Sequence, residues 1–540
     1  MSKIRTTPCG KYFLTIFFVL TIAIIILYIF TNYDSVHVQH RIRTRQGRKP
    51  VLNKKTIGFQ GEKIVHLDLK GAPPKVSYYK KLFPLLSKMG ATGLLMEYED
   101  MFSYNGGLLE NISAYNAYSL SDIKLINKYA AESQLKLIPL VQTFGHMEFL
   151  LKLFEFKEYR EEEPYPSVIC PSHENTLNLL TDMIVQVVEA HPDSKFIHIG
   201  SDEVYYLGMC DKCKNVMASE NLSKNMLFIK HVKSVIKIIK SRFPDLRVLM
   251  WDDEFRSATK EELKKSKIGN MVEPVVWKYT KDVMDDLGPS LWDMYSDAFP
   301  KIWVASAFKG ATGSNQYIVD VPTYLQNHRS WMDIISFYKD NINFEGIIIT
   351  GWQRYDHFAV LCELLPIGLP SLAMSLRIVQ GYMDSPLTPP LEIADLLHCE
   401  QPYALIASAF GTPKCNFPGG SVLESVLHLH QLKMEFQEIS TQSQALGWMD
   451  GYNIEHKYSS PQYVEVITLA LVRIKGDLGS LDEELTMALQ EVYDNYTVSE
   501  WKDTYFKPFE ISVNELWKSG QALLSKEYWP RRPLDYKNEL

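Results

Sequence analysis

Eight short runs of β-branched and aliphatic residues recur along the chain, and segments with helical spacing separate them. The runs are 64–69, 92–98, 135–141, 196–200, 246–252, 273–279, 302–308 and 346–352. Strands that alternate with helices are typical of a parallel sheet. Eight such units fit a closed (β/α)8 barrel better than an open doubly wound sheet, and no GxGxxG follows any run. We therefore predict an α/β fold in which residues 61–385 form a TIM barrel.

The chain outside this barrel has two further parts. From residue 386 to 540, apolar residues recur at helical spacing without strand patterns, which predicts a helical C-terminal region. Residues 12–30 carry no charge, and a helix of that length crosses a hydrocarbon core of about 30 Å. No small-residue cleavage site follows, so we predict an uncleaved transmembrane anchor at 12–30, preceded by a cytoplasmic tail (1–11) and followed by a basic stem (31–60).

Basic residues lie on both sides of this anchor, so their distribution does not decide its orientation. We infer the orientation from the size of the C-terminal part of the chain. Large domains translocate largely regardless of charge. We therefore expect a single-pass type II membrane protein whose C-terminal body lies in the lumen of the ER or Golgi.

Charge and cysteine content narrow the possible partners. The chain has 57 Lys and Arg against 64 Asp and Glu, a net charge of −7, so no overall basic field is available for nucleic acid. Cys210 and Cys213 form a lone CxxC, and no second pair lies at zinc-finger spacing. We expect a local disulfide there in a lumen, or ordinary thiols elsewhere, and we predict no metal and no cofactor.

The ends of the predicted strands collect carboxylates and indole rings. In a TIM barrel these ends share one open face, where reactive residues gather. Carboxylates donate and accept protons, and flat aromatic rings stack on sugars, so the joint pattern indicates a carbohydrate site. The candidates for substrate contact are Asp68, His146, Trp251, Trp277, Trp352 and Tyr355.

The most informative segment follows the fourth run and reads His198-Ile-Gly-Ser-Asp202-Glu203. Adjacent residues of a strand face opposite sides, so both carboxylates enter one site only if the strand ends near Gly200 or Ser201. Two such neighbours in a partly dry pocket would raise one pKa and leave the other group ionised. We take Asp202 and Glu203 as the candidate catalytic pair.

This segment resembles the H-x-G-x-D-E signature of glycoside hydrolase family 20, the β-N-acetylhexosaminidases. Gly145-His146, Trp251, Trp277 and Gly351-Trp352 resemble further family segments in the same order along the chain. The resemblance implies a retaining enzyme that removes terminal N-acetylgalactosamine or N-acetylglucosamine from glycans, in which the substrate's own acetamido oxygen is the nucleophile. It implies Glu203 as the acid and base and Asp202 as the partner of the acetamido N–H. It also implies indole walls from the three Trp and support from His146.

The chain departs from the family pattern in two places. Lys70 stands where many members have an Arg that grips sugar hydroxyls, and Lys lacks the bidentate fork. The family's Tyr for the acetamido carbonyl stays open among Tyr279, Tyr295 and Tyr355. The narrower likeness within the family also implies a nucleocytoplasmic alternative location and a possible homodimer.

Two other functions remain open at this point. His66, Asp68, His146, His198 and Asp252 are the ligand types of a metal-dependent, amidohydrolase-like barrel. A buried, hydrogen-bonded His198 is the competing interpretation of that set. A catalytically silent carbohydrate-binding barrel is the other alternative, although the intact Asp202–Glu203 pair argues against it.

Overall fold

The computed structural model describes residues 58–382, 391–400 and 413–534. The predicted tail and anchor, and the predicted stem up to residue 57, lie outside the described residues, as does the boundary predicted at 385–386. Within the described ranges, no helix is both long enough and apolar enough to cross a membrane.

Eight parallel strands close into the barrel that the sequence predicts. Its strands are β1 (Glu62–Asp68), β2 (Gly93–Glu97), β3 (Lys136–Leu140), β6 (Phe196–His198), β7 (Arg247–Trp251), β8 (Glu273–Trp277), β9 (Ile302–Lys309) and β10 (Phe344–Gly351). Each of the eight predicted runs coincides with one of them. The circle closes where β1 pairs with both β2 and β10.

The sequence did not predict a hairpin that interrupts the connection from β3 to β6. Its strands β4 (Arg160–Glu162) and β5 (Tyr165–Ile169) pair antiparallel. Two backbone hydrogen bonds attach it to the loop after β3, from Ile169 N–H to Phe144 O (3.1 Å) and from Met147 N–H to Ser167 O (3.0 Å). The hairpin therefore supports the loop that contains His146.

Helices on the outside of the barrel connect successive strands, as crossovers between parallel strands require. They are α1 (Val76–Met89), α2 (Leu120–Glu132), α3 (Glu148–Leu151), α4 (Thr176–Glu189), α5 (Asp211–Glu220), α6 (Lys224–Arg242), α7 (Lys260–Ser266), α8 (Val283–Asp286), α9 (Pro289–Ala298), α10 (Val321–Tyr338) and α11 (Leu365–Val379).

The barrel interior is filled by apolar side chains. Trp303 is fully buried there, and a Cβ on Gly346 would lie 2.1 Å from its ring, so β10 needs a glycine at this point. At the amino-terminal ends of the strands, Glu273 accepts hydrogen bonds from Trp303 Nε1 (2.8 Å) and from Arg247 (2.6 Å). This end is closed by packing and ion pairs, which leaves the opposite end for chemistry.

The C-terminal region is helical, as predicted. It comprises α12 (Leu391–Leu396), α13 (Gly420–Thr441), α14 (Ser443–Trp448), α15 (Gly451–His456), α16 (Pro461–Val492), α17 (Asn495–Trp501) and α18 (Lys507–Leu524). A disulfide joins Cys399 to Cys415. The region packs against the barrel, where Tyr493 accepts a hydrogen bond from Leu365 N–H (3.2 Å).

Candidate active site

Asp202 and Glu203 lie on a tight turn directly after β6. The strand ends at His198, and Gly200, Ser201 and Glu203 all adopt left-handed backbone angles, with φ of 61°, 66° and 48°. A Cβ on Gly200 would lie 1.8 Å from Gln142 Oε1, so any other residue would displace this side chain. Only a few per cent of non-glycine residues take such angles, and strained backbone of this kind clusters at active sites. The turn breaks the strand's alternation and sends both carboxylates to one cavity, as the sequence predicts.

His146 reaches the same cavity from the loop after β3. Its Nε2 lies 3.0 Å from Glu203 Oε2 and 3.7 Å from Asp202 Oδ2. The two loops touch directly, because a Cβ on Gly145 would lie 1.9 Å from the backbone oxygen of Asp202. His146 itself has a φ of 51°. The imidazole therefore donates to Glu203 from a constrained backbone.

The protonation states of these three groups differ from those of free side chains. Burial alone would lower the pKa of His146, but the carboxylates of Asp202, Glu203 and Glu148 raise it to about 10. The hydrogen bond from His146 lowers the pKa of Glu203. Burial raises the pKa of Asp202 to about 7, and nearby Asp253 acts in the same direction.

The pKa values of the two carboxyl groups are therefore separated, as expected, and the raised one is that of Asp202. The exposed fraction of its side chain is 7%, against 34% for Glu203, so Asp202 loses more hydration. In the free site Glu203 is ionised and His146 holds the proton. The sequence alone does not show which of the two carboxylates is more deeply buried.

Asp253 and Glu254 fix the backbone of the turn. Asp253 Oδ2 accepts from the N–H of Glu203 (2.9 Å), and Glu254 Oε1 accepts from the N–H of Val204 (2.9 Å). Asp253 Oδ1 also accepts from Trp277 Nε1 (3.1 Å). Sequence analysis missed both roles; the only sign of them in the sequence is that three acids, Asp252, Asp253 and Glu254, follow the Trp at the end of β7.

Aromatic side chains wall the cavity, whose volume is about 170 Å³. The ring centroids of Trp251 and Trp352 are 5.9 Å apart, and Trp277 stacks on Tyr279 at 5.3 Å. Its lining consists of Lys70, His146, Asp202, Glu203, Trp251, Trp277, Tyr279, Gly310, Ala311, Trp352, Arg354 and Tyr355. Seven of the eight predicted site residues are in this set.

Asp68, which the sequence predicts as a substrate contact, is the exception and does not line the cavity. Its carboxylate is buried beneath the cavity, where Oδ2 accepts from the N–H of Gln353 (2.7 Å) and Oδ1 lies 3.1 Å from Lys70 Nζ. Lys70 itself lines the cavity and is also 3.4 Å from Glu97. Asp68 therefore holds the lysine that stands in place of the family's Arg.

Of the three candidate tyrosines, Tyr295 lies away from the cavity. It is fully buried, and its hydroxyl donates to Asp252 Oδ2 (2.9 Å). Tyr279 and Tyr355 both line the cavity. Tyr279 is the more enclosed of the two, since Tyr355 is 45% exposed.

The alternative metal set does not converge. His66 Nε2 is paired with Glu97 (2.8 Å), and Asp252 is held by Arg256 Nε (2.8 Å). His198 is buried, and its Nδ1 accepts from the N–H of Gly200 (3.0 Å), so the hydrogen-bonded interpretation of this residue is confirmed. Burial lowers the pKa of His198 to about 3, which keeps it neutral.

The chain is similar in sequence to a known family of proteins. The sequence model described as "Glycosyl hydrolase family 20, catalytic domain" matches residues 77–284. Hexosaminidase D of Homo sapiens is 39% identical over 450 residues, which cover 83% of this chain and 91% of that protein. Hexosaminidase D of Bos taurus is 46% identical over 318 residues, covering 58% and 91%. Among solved structures, the chitobiase of Flavobacterium johnsoniae superposes with a TM-score of 0.47 and 13% identity, covering 87% of this chain and 72% of that one.

Proposed function

The chain belongs to glycosyl hydrolase family 20 and is a β-N-acetylhexosaminidase, and from this premise we propose which of its residues carry out the substrate-assisted reaction. The observation that carries the proposal is the meeting of Asp202, Glu203 and His146 at the mouth of one aromatic cavity. A cavity of about 170 Å³ is smaller than the roughly 300–1,000 Å³ of typical ligand pockets. This size favours a single terminal sugar over a longer glycan segment.

Glu203 is the proton donor to the leaving oxygen. Before the substrate enters, the proton resides on His146, within hydrogen-bond distance of Glu203. A sugar that displaces water from Glu203 raises the pKa of this carboxyl, because its charged form loses hydration. The proton then passes from His146 to Glu203 and on to the glycosidic oxygen as the C–O bond breaks. After the aglycone leaves, Glu203 takes a proton from the attacking water.

Asp202 orients and stabilises the nucleophile. As the acetamido oxygen bonds to the anomeric carbon, positive charge develops on the forming oxazolinium ring. An ionised Asp202 accepts the acetamido N–H and opposes this charge. The raised pKa of the empty site falls when a cation forms beside it. Gln142 Nε2, 3.3 Å from Asp202 Oδ1, supports the ionised carboxylate.

The side chains that line the cavity would make the remaining contacts with the sugar. Trp251, Trp277 and Trp352 enclose the acetamido group and the sugar ring, and Tyr279 is the better placed partner for the acetamido carbonyl. Lys70 and Tyr355 also line the cavity and are the candidates for contact with the ring hydroxyls.

The test compares Glu203→Gln and Asp202→Asn with the wild type on aryl N-acetyl-β-glucosaminide and N-acetyl-β-galactosaminide. Glu220→Gln is the matched control, because Glu220 pairs with Lys230 on the outer surface. We expect both site variants to lose at least about 100-fold in kcat and the control to keep its rate. Strong inhibition by a thiazoline mimic of the cyclised sugar is also expected. Unchanged rates in both site variants would overturn the assignment, and a wild type that binds the sugar without hydrolysing it would favour the silent barrel.

The membrane anchor remains part of the proposal. Residues 12–30 would tether the catalytic body in a lumen as a type II protein, and a nucleocytoplasmic location is the alternative. Protease protection of the catalytic body in sealed vesicles distinguishes the two. The homodimer stays a prediction, to be checked by light scattering of the purified chain.

A further inference from the structure

Three cysteines and a glutamate meet beside the loop that follows the catalytic pair. They are Cys170, which follows β5, Cys210 and Cys213 at the start of α5, and Glu161 in β4. One ligand atom from each lies within 4.8 Å of the other three. No other group of three or more His, Cys, Asp or Glu within the described ranges converges in this way. The cluster is separate from the sugar cavity and supplies no reacting group to the mechanism above.

Four of the six distances between ligand atoms of the cluster are close to those of a tetrahedral metal site. Cys170 Sγ lies 3.4 Å from Cys210 Sγ and 3.7 Å from Cys213 Sγ. Glu161 Oε2 lies 3.2 Å from Cys210 Sγ and 3.1 Å from Cys213 Sγ. With Zn–S bonds of about 2.3 Å and Zn–O bonds of about 2.0 Å, tetrahedral ligands lie roughly 3.5–3.8 Å apart. The four cluster distances above differ from these values by only a few tenths of an ångström.

The second oxygen of Glu161 is already oriented. Its Oε1 accepts from the backbone N–H of Met209 (2.8 Å) and of Cys210 (3.2 Å). These bonds turn Oε2 toward the sulfurs, as outer contacts orient metal ligands in known sites. Cys210 also caps the N-terminus of α5, where the helix dipole favours thiolates.

A disulfide, which the CxxC spacing predicts, explains the cluster less well. Cys170, Cys210 and Cys213 are all free. A bond between any two would leave the third thiol and a mostly buried carboxylate in contact with an uncharged disulfide. Burying a carboxylate without a charged or coordinating partner is unfavourable.

We propose that Glu161, Cys170, Cys210 and Cys213 bind one Zn²⁺ ion. Thiolates select soft and borderline metals, and a set of three sulfurs and one oxygen in tetrahedral geometry suits zinc. Four protein ligands fill the coordination sphere, so the ion is structural and holds no water for catalysis. The sequence missed the site because zinc-finger spacing requires a second CxxC, whereas here the other two ligands come from the unpredicted hairpin.

The ion would join the two loops that form the active site. Glu161 and Cys170 belong to the hairpin that hydrogen-bonds to the loop of His146, and Cys210 ends the loop that begins at Glu203. Zinc therefore fixes the position of His146 relative to Glu203 from outside the cavity.

The test measures metal in the purified full-length chain by mass spectrometry. We expect about one zinc per chain in the wild type, near zero in Cys213→Ser and Cys170→Ser, and wild-type content in Cys362→Ser. Cys362 is the matched control, since it is also buried and free but lies outside the cluster. Zinc-free wild type, or zinc retained in both cluster variants, would overturn the proposal.

Cobalt substitution keeps the test decisive if the serine variants fail to fold. Wild-type protein loaded with Co²⁺ should show thiolate-to-cobalt charge transfer and the intense visible bands of a tetrahedral site. Absence of the charge-transfer band contradicts the site. These readouts do not depend on hydrolysis, so failure of the zinc site and failure of the proposed catalytic roles are distinguishable.

Discussion

His146 Nε2 and Glu203 Oε2 lie 3.0 Å apart, and the proton between them belongs to the histidine in the free site. The pair therefore acts as one titrating unit, whose last proton is lost near the pKa of His146, about 10. In the proposed mechanism this proton is the one that reaches the leaving group.

His146→Gln should consequently narrow the pH range of activity. Without the imidazole, the proton must reside on Glu203 itself, and the ordinary pKa of a glutamate lies far below the value of about 10 for His146. We expect the alkaline limb of kcat/KM to move down by more than one pH unit, with a fall of about 10–100-fold in kcat at pH 8. An alkaline limb that stays at its wild-type position would show that His146 does not hold the catalytic proton.

Asp202→Asn should stabilise the fold while it removes activity. The pKa of Asp202 is raised to about 7 in the folded protein, above its ordinary value of 3.8. The folded state therefore binds more protons than the unfolded state between these values, and stability falls as pH rises through this window. The amide cannot ionise, so the variant's Tm should exceed that of the wild type at pH 8, and the difference should shrink toward pH 4. Thermal unfolding at several pH values measures this, and an equal Tm at pH 8 would contradict the burial argument.

Asp253 is expected to be a positioning residue for the acid. Asp253→Ala removes the acceptors for Glu203 N–H and Trp277 Nε1, so the turn and one aromatic wall lose their support. We expect kcat/KM to fall about 10–100-fold, with the alkaline limb of the pH profile unchanged because His146 and Glu203 are intact. Asp253→Asn, which keeps one acceptor, should recover part of the loss. Equal activity of the Ala variant and the wild type would exclude the role.

The sequence predicts those features that a local pattern encodes. Each barrel strand follows from a β-branched run, and the break after His198 follows from Gly200 and Ser201. Contacts between residues on different loops leave no such local pattern in the sequence. Asp253 lies 50 residues from the backbone N–H whose hydrogen bond it accepts. Asp68 lies only two residues before Lys70, which lines the cavity, but its own side chain is buried in the interior. Glu161 went unrecognised because short polar segments such as β4 and β5 lack the apolar alternation that identifies strands.

Arg354 depends on the C-terminal helical region for its place in the cavity. Its guanidinium makes two hydrogen bonds with Glu500 of α17, at 2.7 and 3.0 Å, and its Nε donates to the backbone oxygen of Lys70 (2.9 Å). Glu500→Gln should leave this largely buried cation with a weaker partner and loosen it. Because the reacting atoms are not in contact with Glu500, we expect KM to rise several-fold and kcat to change by less than about twofold. Glu491→Gln serves as the control, since this exposed residue is in the same region and accepts a long hydrogen bond of 3.5 Å from Ser421. A variant with unchanged KM would show that the C-terminal region supports the barrel without shaping the sugar site.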